Sequence, residues 1–263
     1  MIKVENLTKE FNLNKQQQKE LNTTDKKAIA VENISFECKP GRVFSLLGPN
    51  GAGKTTTLRM LSTIYQPTSG SIQIGDVDAI KDPQKAKSKI GFLTGSTGLY
   101  ARLTPNEIIA YFGQLYNVPK NELEERKEKL YNLLEMNDFQ NKRIGKLSTG
   151  MKQKVSICRT MIHDPEIIVF DEPTSGLDVI TAENIIKLIL DCKAQGKTVI
   201  FSSHIMSEVD LLCDDLAIIH KGKLLYNNTM ENFRNEMLAP NLTAEFIRII
   251  KDNNINEFSL QPR

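Results

Sequence analysis

Gly48-Pro-Asn-Gly-Ala-Gly-Lys-Thr55 restricts the fold of this chain more than any other stretch. It follows the short apolar run RVFSLL (Arg42–Leu47) and opens a segment, Lys54–Thr63, of helical character. A glycine-rich turn between a strand and a helix lets backbone N–H groups point inward, where the helix start adds partial positive charge. That is a cradle for phosphate oxygens. Lys54 can reach β- and γ-phosphates, and the Thr55 hydroxyl can ligate Mg²⁺. The predicted phosphate-binding positions are Gly48, Pro49, Asn50, Gly51, Ala52, Gly53, Lys54, Thr55 and Thr56.

The surrounding pattern predicts an α/β fold. Ile167–Phe170, Thr198–Ser202 and Leu216–His220 read as buried strands, and Ala182–Gln195 as a helix between two of them. Such alternation argues for a largely parallel core sheet. Ile2–Leu7 and Val31–Cys38 read as N-terminal strands, joined by a polar stretch, Asn12–Lys27, expected to be a solvated hairpin loop. From Tyr100 to His163 the pattern is helical with no intervening strand, as expected of a helical subdomain inserted at about residues 95–163. Within Asn121–Met136, Leu123, Leu130, Leu133 and Leu134 form one stripe, with Glu122/Arg126 and Glu125/Lys129 at i,i+4 spacing on the wet face. No internal repeat is visible.

Carboxylates belong at the end of a central strand, in the crevice where open α/β sheets bind nucleotides. Asp171 and Glu172 follow the run IIVF and meet that description. Asp171 suits a Mg²⁺ sphere, and Glu172 is placed to polarise a water aimed at a γ-phosphate. His204 follows the strand TVIFS at the same sheet edge, whereas His163 and His220 read as structural. These residues predict a hydrolase of a Mg-nucleoside triphosphate with Lys54, Thr55, Asp171 and Glu172 at its centre, Lys54 and Glu172 catalytic, Thr55 and Asp171 at the metal, and His204 a further catalytic candidate by its position.

Composition narrows the classes. With 263 residues the chain has room for one or two domains and a sizeable core. Lys plus Arg is 34 against 32 for Asp plus Glu, a net charge of +2 that argues against a dedicated nucleic-acid binder. The start MIKVENLTKEF lacks the layout of a signal peptide, and no apolar run approaches the length of a membrane span. Cys38, Cys158, Cys192 and Cys213 are widely spaced and read as buried reduced thiols of a cytoplasmic protein.

Leu147-Ser-Thr-Gly-Met-Lys-Gln153, upstream of the Asp-Glu strand, resembles the signature motif of ABC-type ATPases. Other elements follow in the family's order over residues 1–230: Ser175-Gly-Leu-Asp178 resembles the D-loop, and His204 in SSHIMSEVD the switch histidine. Phe11 resembles the aromatic that stacks on adenine; as a strand residue it is alternatively core. The resemblance implies an ABC nucleotide-binding domain of the P-loop NTPase class, with an N-terminal antiparallel β subdomain and the inserted helical subdomain. ATP and Mg²⁺ are its implied ligands. It also implies a head-to-tail homodimer in which each ATP lies between one P-loop and the other copy's signature residues Ser148 and Gly150, with Asp178 a further nucleotide-binding position. Ser148 and Gly150 begin a predicted helix, about Met151–His163, whose N-terminus would face the γ-phosphate.

Two positions depart from the family pattern. LSGGQ is replaced by LSTGM, and Gly95 in IGFLTG stands where relatives carry a glutamine, with Thr94 or Ser96 as a substitute. The segment TGSTGLY and the LSTGM signature together resemble ATP-binding subunits of bacterial exporters, most of all the sodium-extruding NatA subfamily. The implied function is to energise export through a separate integral-membrane permease, from a peripheral position on the inner face of the cell membrane. Permease contact is expected near Gly95–Ala110, where Leu99, Tyr100 and Leu103 are either a contact patch or core. Alternatives are exporter subunits for drugs, lipids or polysaccharide, a soluble ABC ATPase acting on nucleic acid or ribosomes, or a binding-only regulator. The tail, 231–263, shows an apolar face in Asn241–Lys251 (Phe246, Ile247, Ile249, Ile250) and a polar end from Asp252 expected to fray.

Overall fold

The structure is a computed structural model that describes residues 1–20, 22–94 and 98–259, the last six as backbone only. Along the chain, β1 (Ile2–Asn12), α1 (Lys15–Glu20), β2 (Lys27–Cys38), β3 (Val43–Leu47) and α2 (Lys54–Leu61) come first. Next are β4 (Ser69–Ile74), β5 (Val77–Asp78), α3 (Pro83–Ser88) and β6 (Ile90–Thr94). Then come α4 (Pro105–Leu115), α5 (Lys120–Leu133), a short 3₁₀ turn at Ile144–Lys146 and α6 (Thr149–Met161). The chain continues with β7 (Ile167–Asp171), α7 (Val179–Ala194), β8 (Thr198–Ser203), α8 (Met206–Leu212) and β9 (Asp215–His220). It closes with β10 (Lys223–Thr229), α9 (Met230–Glu236) and α10 (Leu242–Ser259).

Two sheets organise these elements. A four-stranded antiparallel sheet has the order β2-β1-β4-β5, and a six-stranded sheet the order β10-β9-β3-β8-β7-β6. In the larger sheet β3 pairs parallel with β8 and β9, and β7 with β6 and β8; β10 alone runs antiparallel, at the edge. The central strands are buried end to end because helices or the second sheet cover both faces. Alternate residues serve different cores. Val43, Leu47, Ile168, Phe170, Val199 and Phe201 join the helical side, while Phe44, Leu46, Ile167, Val169 and Ile200 join the side of the antiparallel sheet. Removing one such ring, as in Phe170→Ala, costs about 3–5 kcal/mol.

Register puts the chemistry at one edge. Leu47 pairs with Ser203, and Asp171 lies between Thr94 and Ser202. The carboxyl ends of β3, β6, β7 and β8 therefore converge, the crevice where an α/β sheet takes its ligand.

Several expectations needed adjustment. The hairpin loop at 12–27 contains a helix, α1, because Asn14 caps the Gln17 N–H and the Asn14 N–H donates back to Gln17 Oε1. Both N-terminal strands are longer than their apolar cores, pairing out to Asn12 and Lys27. On α5, Leu123 and Leu130 are buried, with Leu134 buried just beyond the helix, Leu133 is half-buried, and Arg126 pairs with Glu122. Leu99 and Leu103 pack on the core, whereas Tyr100 is 61% exposed. In the tail, Phe246, Ile249 and Ile250 pack on the core but Ile247 faces outward, and α10 continues past Asp252 to Ser259. All four cysteines are free and buried. No helix among the described residues is long and apolar enough to cross a membrane.

Candidate active site

The turn after β3 is a glycine-dependent cradle. Gly51 has φ +78° and Gly53 φ +107°, backbone that a side chain strongly disfavours. A Cβ at Gly53 would lie 2.6 Å from the Ala30 carbonyl oxygen, and one at Gly48 would lie 2.3 Å from that of Ile219. The loop is backed by the Gly222 N–H, which donates to the Ala52 carbonyl at 2.9 Å. Ala30, Asn50 through Thr56 and Glu172 line a concavity of about 160 Å³. A larger hollow, about 420 Å³, between α5 and α7 contains none of these groups.

Lys54, at the start of α2, is only 5% exposed. Its Nζ donates to the carbonyls of Gly48 (2.7 Å) and Pro49 (3.1 Å) and lies 3.6 Å from Glu172 Oε1. Burial pulls the ammonium below the ordinary lysine pKa, and the nearby Glu172 and Asp171 charges oppose that pull. The next residue, Thr55, donates its hydroxyl to Asp171 Oδ1 at 3.1 Å.

Asp171 and Glu172 are set by a residue the sequence reading missed. Ser202, fully buried on β8, donates Oγ–H to Asp171 Oδ1 at 2.8 Å and accepts from the Glu172 N–H at 3.0 Å. Glu172 has φ +50°, which turns the chain sharply after β7. His204 Nδ1 lies 3.4 Å from Glu172 Oε1. Lys54, Thr55, Asp171, Glu172 and His204 thus form one constellation. The signal for Ser202 was its position, a hydroxyl at the carboxyl end of a buried strand, next to the strand that carries Asp171.

The donor set suits Mg²⁺ in a particular way. Among the described residues no group of three or more His, Cys, Asp or Glu side chains could hold a metal. A Mg²⁺ ion ordinarily takes one or two carboxylates, waters and substrate phosphates, so Thr55 Oγ1 and Asp171 Oδ1 side by side at the cradle mouth fit it.

A second cluster lies at the paired N-termini of α6 and α7. Ser148 caps α6 by accepting from the Met151 N–H at 3.2 Å. Asp178 caps α7 by accepting from the Thr181 N–H (2.9 Å) and hydroxyl (2.8 Å), which holds its carboxyl below the usual range. A Cβ at Gly150 would stand 3.6 Å from Asp178 Oδ2, so the two loops are neighbours. Neither Ser148, Gly150 nor Asp178 lines the cradle of its own chain. Phe11 is not among the residues that line the cradle; its strand partner Ala28 is two residues from Ala30, which is. Phe11 is half-buried at the end of β1, edge-on to Tyr65 with ring centroids 5.6 Å apart and Lys9 Nζ 5.1 Å from its ring. Gly95 and Ser96 fall outside the described residues.

The family model described as ABC transporter matches residues 31–175. The chain belongs to the ABC transporter family. It is an ATP-binding and ATP-hydrolysing subunit of that class, as the cradle and the paired carboxylates anticipate. This ABC protein is 42% identical over 226 residues to the ABC transporter ATP-binding protein NatA of Bacillus subtilis, covering 85% of its own length and 92% of the relative's. It is 38% identical to the bacitracin transport ATP-binding protein BcrA of Bacillus licheniformis, covering 74% and 63% of the two chains. Its fold matches a solved dimer of the ATP-binding cassette MJ0796 in a post-hydrolysis state bound to ADP and Pi. The TM-score is 0.76 at 25% identity, over 88% of this chain and 99% of the other.

Proposed function

We propose that this ABC ATPase acts as a homodimer that energises export through a separate integral-membrane permease, at the cytoplasmic face of the membrane. The observation that carries the reading is the separation of the two clusters: the cradle has no signature residue in its lining. A second copy, placed head to tail, would bring its Ser148, Gly150 and Asp178 over the first copy's phosphates. The α6 N-terminus would then aim free N–H groups and a helix dipole at the γ-phosphate. ATP joins the copies and hydrolysis releases them, because the ligand binds the closed form selectively.

In the reaction, loop N–H groups and Lys54 hold the triphosphate, and Thr55 and Asp171 would hold Mg²⁺. When bound, Mg²⁺ neutralises charge on the phosphate oxygens. Glu172 takes a proton from water as the water oxygen attacks the γ-phosphorus, and the bond to the ADP oxygen breaks. His204 keeps the Glu172 carboxylate oriented, at 3.4 Å. Phe11 offers a face or edge to the adenine.

The permease contact is assigned to the helical insert near residues 95–110. Exposed Tyr100, Tyr111 and Leu115 on and before α4 support it. A groove of about 310 Å³ lined by Phe92, Phe112, Tyr116 and Arg159 lies beside them. Sodium is the cargo favoured by the likeness to NatA. The test is capture of the Glu172→Gln form with Mg-ATP from detergent-solubilised source membranes. A stoichiometric polytopic membrane protein supports the reading, whereas ribosomal or DNA-repair components without one would overturn it. Sodium-dependent stimulation of the reconstituted pair would then support the cargo, and its absence would remove it.

A further inference from the structure

Two loops that carry reacting side chains are joined underneath by one buried carboxylate. Glu208, in the first turn of α8, is 8% exposed. Its Oε1 accepts from the Thr174 hydroxyl at 2.6 Å, and its Oε2 from the Ser203 hydroxyl at 2.9 Å. Thr174 follows Glu172 and Pro173, and Ser203 immediately precedes His204. Ser203 Oγ also accepts from the Ile205 N–H at 3.0 Å, so this hydroxyl ties the backbone beyond His204 as well.

Among the described residues no cation forms an ion pair with Glu208; hydroxyls take up its lone pairs instead. A desolvated carboxylate is costly, and an apolar side chain in its place would hold the fold more cheaply. A buried network whose members are all satisfied does something else: it specifies one geometry. The base of this one is anchored by packing, since Val209 and Leu212 on the same helix are in the core.

We propose that Glu208 is a positioning residue for hydrolysis, fixing the Thr174 loop against the Ser203–Ile205 loop so that His204 Nδ1 stays at Glu172 Oε1. The proposal rests on the roles given above to Glu172 and His204. It adds that their alignment is set from below, across 34 residues of sequence between Thr174 and Glu208.

The test uses the hydroxyl partner, which can be altered without opening the core. Thr174→Val removes the hydroxyl at nearly constant volume, and Thr174→Ser retains it. ATP hydrolysis by the full chain is measured against ATP concentration. Thr174→Val and Glu208→Ala are each expected to lower kcat about tenfold or more, with KM within about twofold of the parent. Thr174→Ser is expected to stay within about threefold of the parent. The double variant Glu208→Ala/Thr174→Val is expected to be no more than about twofold slower than either single change, since both break the same link. A parental kcat in Thr174→Val, a Thr174→Ser as slow as the valine variant, or losses that multiply in the double variant would each overturn the proposal. Should Glu208→Ala not fold, the valine and serine pair decides alone. The underlying reading fails separately: a Glu172→Gln form that hydrolyses ATP at the parental rate removes Glu172, whatever the Thr174 variants do.

Discussion

Lys54 Nζ lies 3.6 Å from Glu172 Oε1, so the buried cation of the phosphate loop and the carboxylate beyond β7 face each other across the cradle. The remaining hydrogens of Lys54 go to the carbonyls of Gly48 and Pro49. A triphosphate offers charged oxygens to the same ammonium, and charge-assisted bonds are the stronger ones. Lys54→Ala is therefore expected to weaken ATP binding roughly 10- to 100-fold in equilibrium titration. An unchanged Kd would show that backbone N–H groups alone hold the phosphates.

Glu172→Gln keeps the shape of the side chain and removes its basicity. Steady-state phosphate release is expected to fall by roughly 10²- to 10⁴-fold, while ATP affinity changes by no more than about threefold. Phosphate release and retained radiolabelled ATP, measured on one preparation, check both halves. Robust hydrolysis would take the general-base role away from Glu172.

His163 makes stability depend on pH. Its ring stacks on Tyr116 with centroids 3.8 Å apart, Nε2–H donates to the Ile90 carbonyl at 3.3 Å, and Nδ1 is buried with no hydrogen-bond partner among the described residues. Burial lowers its pKa from 6.5 to about 4. The unfolded chain therefore binds a proton near pH 6.5 that the folded chain refuses until about pH 4, and stability falls as pH drops through that window. Between pH 7 and pH 5 the loss from this group is about 2 kcal/mol. Urea unfolding at both pH values should show a loss smaller by that amount in His163→Phe; equal losses in variant and parent would contradict the account.

Much of the site was legible because its chemistry is local in sequence. The Gly48–Thr55 turn names its own backbone, and Asp171 and Glu172 announce themselves by ending an apolar strand. His204 was findable for the same reason. Ser202 and Glu208 were not, since Ser202 meets Asp171 and Glu172 only through the β7–β8 register, and Glu208 meets Thr174, 34 residues before it, only once the chain has folded. Strands β4 and β10 escaped notice because SGSIQI and KLLYNNT are half-exposed and carry Gly, Ser or Asn where a buried strand would be apolar. Helix α1 hides in a polar stretch because its only signal is an Asn cap.

Glu172 stands at φ +50°, a left-handed backbone that a glutamate adopts only under constraint. With Glu172 as the proposed base, folding and turnover make opposite demands on this position. Compared with Glu172→Gln, which loses the same charge but keeps the strain, Glu172→Asn should be more stable by about 1 kcal/mol, because asparagine tolerates that backbone. The parent chain gives up that stability to place its carboxylate, so variants selected for heat resistance alone should drift here toward asparagine or glycine and fall silent as ATPases.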